Sequence, residues 1–101
     1  IANAAERKAF CFAISETLRR YIESRFDVSA TDMTSQELVK ETDAILSLND
    51  HRANLHAFFE RSDGVKFASL LCRDDDIEFL YETVLTIVES TTERPEEVAQ
   101  P

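Results

Sequence analysis

Apolar residues recur at helical spacing in four separate stretches of this chain. In the first, Phe10, Ile14, Leu18, Tyr21 and Ile22 lie three or four positions apart, and Phe26 extends the stripe. Ala4, Ala5, Ala9 and Ala13 add helix propensity, so the pattern predicts a helix over about 2–25. Leu38, Val39, Thr42, Ile45 and Leu46 mark a second helix over about 35–46. Leu55, Phe58, Phe59 and Ser62 follow i, i+3, i+4, i+7 spacing and mark a third over about 51–62. Ile77, Leu80, Tyr81, Val84, Ile87 and Val88, broadened by Phe79 and Leu85, mark a fourth over about 75–90. The pattern predicts an all-α, compact four-helix domain spanning 1–90. Residues 91–101 hold both prolines and show no apolar period, which reads as a disordered tail or linker.

The third stretch, LHAFFERSDGVKFA from Leu55 to Ala68, is the densest apolar source. It contains three of the seven phenylalanines and the only glycine, Gly64. Glycine adopts the left-handed conformation without a Cβ clash, so Gly64 reads as a helix stop. A short extended segment, Val65-Lys66-Phe67, is then expected. There Val65 and Phe67 point under the helix and Lys66 stays in water.

Local signals sharpen the boundaries. Thr34 and Glu37 have capping-box spacing, and Met33 and Leu38 stand where a hydrophobic staple belongs. Asn49 or Asp50 is placed to cap the third helix. Ser69–Arg73 reads as a linker, and Asp74-Asp75-Asp76 as an acidic helix N-terminus complementing the macrodipole. As a calcium loop the triplet lacks the alternating ligands, central glycine and distal glutamate that an EF-hand needs. His51 and His56 are five apart, about 140° around a helix axis, which is not the geometry of a helical zinc pair.

Composition narrows the function class. The chain has 101 residues, one glycine and a net charge of -9, which fits a small helical domain and opposes nucleic acid and anionic membrane overall. Cys11 and Cys72 form no CxxC and read as buried thiols of a reducing compartment, with one long-range disulfide as the alternative. No apolar run is long enough to span a membrane. The start at Ile1 points to an excised or processed product. Basic charge gathers on the first helix, whereas from Asp74 to Glu97 the only base is Arg94. Arg19, Arg20 and Arg25, together with Lys66, are therefore the candidate partner-binding residues; the other reading of the arginines is a solvated face. No catalytic, cofactor-binding or metal-ligating set stands out. An enzyme reading requires Asp74, Asp75, Asp76 and His56 to converge in one cleft. A winged-helix-like nucleic-acid binder is the alternative function, but its reading helix would offer only Arg52 and Arg61 to phosphates.

Four strings together resemble a known family: FAISETLRRYIESRF (Phe12–Phe26), DMTSQEL (Asp32–Leu38), LHAFFERSDGVKFA, and VESTTERP (Val88–Pro95). They are similar to the C-terminal soluble domain of bacterial membrane-anchored proteins encoded beside MoxR-type AAA+ ATPases and von Willebrand A-domain proteins, the Bat (aerotolerance) type of gene neighbourhood. The chain departs from that pattern at Gly64, where an apolar residue is more usual. The resemblance implies a cytoplasmic helical domain behind a transmembrane helix that precedes Ile1, with Arg7 and Lys8 at the inner leaflet. It implies no known enzymatic activity. The expectation is a non-catalytic interaction domain that docks the ATPase or its von Willebrand A-type partner.

Overall fold

In a computed structural model, the structure describes residues 3–67 and 71–92. They form four helices: α1 (Ala4–Phe26), α2 (Ser35–Asp43), α3 (Arg52–Phe67) and α4 (Asp74–Thr91). Two 3-10 turns, Ala30–Asp32 and Leu46–His51, complete the path, and no strand occurs among the described residues. The fold is all-α, as the apolar pattern predicts. Among the described residues no helix is long and apolar enough to cross a membrane. Most of the expected tail, residues 93–101, lies outside the described residues.

Helix α1 begins at Asn3, whose Oδ1 accepts the Glu6 N–H at 2.8 Å while Glu6 Oε1 accepts the Asn3 N–H at 3.4 Å. This reciprocal cap satisfies two amides that the helix leaves free. The helix ends at Asp27, which takes the left-handed conformation at φ 57° and returns its N–H to the Glu23 carbonyl. Cys11, Ser15, Leu18 and Ile22 are its buried stripe. The Thr34–Glu37 capping box opens α2: Thr34 Oγ1 accepts the Glu37 N–H at 3.1 Å, and Glu37 Oε1 accepts the Thr34 N–H at 2.9 Å. Those two hydrogen bonds hold the Glu37 carboxyl below its usual pKa.

Helix α3 is the hub, packing against α1, α2 and α4. It buries Leu55, Phe58, Phe59, Ser62 and Val65. The Phe58 and Phe59 rings meet edge to face, 5.0 Å between centroids. The expected stop at Gly64 does not occur. The helix runs through Gly64 to Phe67, and no glycine among the described residues has positive φ. The cause lies one residue later. Val65 continues the buried face of Leu55, Phe58 and Ser62, so helical geometry places it in the core. A helical glycine costs about 1 kcal/mol relative to alanine, less than the ~1.5–3 kcal/mol that burying a large aliphatic side chain returns. The expected extended pairing of Val65 with Phe67 is thereby broken: Val65 is buried and Phe67 is 75% exposed.

Other expectations need correction at the same level. Helix α2 stops at Asp43 rather than near Leu46, because the N–H groups of Ala44 and Ile45 tighten onto the carbonyls of Glu41 and Thr42. The following turn buries Leu48 completely and leaves Leu46 82% exposed. That turn leads directly into Arg52, so neither Asn49 nor Asp50 stands at a separate helix start. On α4 the buried set is Leu80, Thr83, Val84, Ile87 and Thr91, which rotates Tyr81 and Leu85 outward. The buried hydroxyls satisfy themselves locally: Thr83 and Thr91 donate to the carbonyls of Phe79 and Ile87, each at 2.7 Å.

Cross-helix bonds fix the directions. Arg7 pairs with Asp74 at 2.6 Å and Arg25 Nε donates to the Thr91 carbonyl at 2.8 Å, so α1 and α4 lie side by side and run the same way. Asp43 meets His56, so α3 begins where α2 ends, and α3 runs against α1, with Arg19 over Phe59 and Ser15 beside Lys66. The chain after α1 must therefore double back along α1 before α2 starts.

Candidate functional site

The outward edge of α1 carries Ala9, Phe12, Ala13 and Glu16 at i, i+3, i+4, i+7 spacing. The last turns of α3 run antiparallel beside it and bring Asp63, Lys66 and Phe67 opposite. Met33 and Thr34, on the segment that doubles back, close one end. Between these walls lies an open groove of about 960 Å³. Its lips are aromatic: Phe12 is 44% exposed and Phe67 75% exposed.

Lys66 sits between those lips. Its Nζ lies 5.2 Å from the ring centroids of both Phe12 and Phe67 and 3.5 Å from Ser15 Oγ. Among the described residues no carboxylate forms an ion pair with it. Burial pushes its pKa below the usual lysine value, with Arg19 adding to the effect and Asp63 and Glu16 opposing it. Two ring faces compensate the desolvated ammonium in part. Nearby, Asp63 Oδ1 is buried and accepts no hydrogen bond.

The four residues singled out in the sequence do not form one patch. Arg19 turns inward. Its Nη1 donates to the carbonyls of Ala30 at 2.9 Å and Met33 at 2.6 Å, its Nη2 donates to Ser35 Oγ at 2.8 Å, and its guanidinium lies 5.2 Å from the Phe59 ring centroid. Arg25 holds the C-terminal carbonyl of α4 and lies over the Phe26 ring. The solvated-face reading of these two arginines is thus corrected. Arg20 alone projects into solvent, its side chain 76% exposed and 3.6 Å from Glu16. Arg19 and Lys66 both line the groove, but Arg19 commits its guanidinium to the chain, whereas Lys66 stands between the aromatic lips and not in open water as expected. The structure adds Phe12 and Phe67, which the apolar pattern did not assign to a surface. The available signal is that Phe12 falls off the Phe10–Ile14–Leu18 stripe.

The acidic triplet divides its partners. Asp74 pairs with Arg7, while Asp76 binds Arg61 at 2.9 Å and accepts the Arg73 N–H at 2.9 Å, so it caps α4. His56 Nε2 lies 3.0 Å from Asp43 Oδ1, whereas the triplet reaches α3 at Arg61. Among the described residues no three His, Cys, Asp or Glu side chains are placed to hold a metal ion. Cys11 and Cys72 are buried free thiols with their sulfurs 4.0 Å apart. Burial, reinforced by Cys72, pushes the Cys11 thiol up to about 12. No protein-family model, curated protein or solved structure matches this chain.

Proposed function

We propose that this is a non-catalytic protein-interaction domain of a membrane-tethered bacterial protein, and that the groove between α1 and α3 is its docking surface. The partner class, a MoxR-type AAA+ ATPase or a von Willebrand A-type protein, follows from the four-string resemblance and from nothing else. One observation carries the docking reading: two phenylalanine rings stand exposed on neighbouring helices around a single lysine. A small domain seldom spends that much aromatic surface on water without a use for it. Both rings sit on helices whose opposite faces are locked into the core, so the surface is preorganised.

The test is binding of the purified domain to the ATPase encoded beside it. The wild-type chain binds, Phe67→Asp weakens binding at least about tenfold, as expected when an aromatic anchor is lost, and its thermal midpoint is unchanged. Arg20→Glu is the accompanying surface variant; Arg19→Glu is unsuitable because Arg19 holds the chain together. Absence of binding by the wild-type domain to either partner class sinks the proposal. Tethering is checked separately by membrane fractionation of the full-length gene product.

A further inference from the structure

We infer that the groove takes an amphipathic helix that lays apolar side chains over Ala9 and Ala13, between the Phe12 and Phe67 rings, and sets a carboxylate from that same apolar face against Lys66 Nζ. This rests on the docking reading above and names the chemistry of its partner. The helical form follows from the wall. Ala9 and Ala13 are one turn apart on α1 and small enough for another helix to approach closely. From Ala9 to Glu16 the wall runs about 10 Å at ~1.5 Å per residue, two turns of a docked helix. Aromatic lips on both sides then cover its apolar residues.

The carboxylate follows from charge. A lysine ammonium has three donors, and Lys66 has one long contact, to Ser15 Oγ at 3.5 Å, and two ring faces. The groove's own acids favour the charge from nearby without bonding it: Glu16 faces Arg20 at 3.6 Å, and Asp63 makes no ion pair with Nζ. Arg19, the other cation lining the groove, commits its guanidinium to Ala30, Met33 and Ser35. Nζ therefore keeps donor positions open between the two rings, and a single carboxylate can fill them. A partly buried ammonium has less desolvation left to undergo on binding than a fully exposed one.

The probe is a display library of 18-residue helix-forming peptides selected against the 101-residue chain. The expected winners carry an apolar i, i+3, i+4 face interrupted by one Asp or Glu, and they shift the Phe12 and Phe67 ring resonances. Lys66→Glu weakens them by about tenfold or more, the range for losing a charged hydrogen bond, and a Glu→Lys change in the peptide restores binding to that variant. Lys66→Met, which keeps the stem, serves if Lys66→Glu does not fold. Peptides that shift both rings but carry no acid, or that bind Lys66→Met as tightly as wild type, overturn the inference and leave the docking reading in place. Failure to select any ring-shifting peptide also overturns it. If the ATPase and the von Willebrand A-type protein fail to bind as well, the docking reading falls too.

Discussion

At the scale of single residues, Arg19 decides where the chain goes after α1. The segment Ala30–Ser35 folds back along α1 because a guanidinium about two turns before the helix end offers donors to two carbonyls and a hydroxyl. A planar fork suits this task and a single ammonium does not. Arg19→Ala is expected to lower unfolding free energy by about 2–3 kcal/mol in a urea titration, since it removes the donor to the Met33 carbonyl and leaves the Ala30 carbonyl only the Met33 N–H. Arg19→Lys recovers less than half of the loss. Cys11 makes a second residue-scale case. Its pKa rises from an ordinary 9.0 to about 12, so the folded state prefers the thiol. The stability this contributes is complete below about pH 9 and is lost as pH rises towards 12. Urea midpoints between pH 8 and 11 therefore fall more steeply for wild type than for Cys11→Ala. At pH 8 a thiol reagent reacts far more slowly with the folded chain than with the unfolded one.

Among the elements, α3 separates what sequence can say from what it cannot. Its face of Leu55, Phe58, Phe59 and Ser62 was legible because periodicity is local information, as were the Thr34–Glu37 cap and four helices in order. The stop at Gly64 was misread because a glycine ends a helix only if the next residues gain nothing by continuing. Val65 gains a place in the core, and that depends on the helices packed against α3 rather than on neighbours in sequence. The Asn3–Glu6 cap carries the same local spacing as Thr34–Glu37, with asparagine in place of the hydroxyl residue. The groove was half legible. Lys66 is a visible charge, but its ring partners meet only through the antiparallel crossing of α1 and α3. Gly64 supplies the decisive measurement. Its φ is not positive, so Gly64→Ala is expected to raise stability by about 0.5–1 kcal/mol. A left-handed cap at Gly64 demands the opposite sign, a loss of about 1 kcal/mol.

For the molecule as a whole, charge is sorted by the fold rather than spread over it. Six acids and no base lie between Asp74 and Thr91, and this helix packs along α1, which carries Arg7 and Arg25. Those two arginines grip the two ends of α4, one at Asp74 and one at the Thr91 carbonyl, where the macrodipole favours a cation. Lys66 stands apart from this scheme. It contributes no ion pair to the fold and sits where burial disfavours its charge. A residue kept at a cost to stability is what a binding site looks like before its partner arrives. Lys66→Met is therefore expected to raise stability by no more than about 0.5 kcal/mol at neutral pH, because solvent screens a partly exposed ammonium, a gain of up to about 4 °C in a domain this size, while weakening the acidic peptide. The sign of the pH dependence is fixed by the lowered pKa. The folded chain gives up the Lys66 proton before the unfolded chain does, so the penalty is complete at neutral pH and fades as pH rises towards the ordinary lysine value of 10.5. The advantage of Lys66→Met thus shrinks between pH 7 and pH 10. A variant that is instead less stable than wild type at pH 7 marks Lys66 as a structural strut through Phe12, Phe67 and Ser15, and the groove then loses the charge that selects its partner.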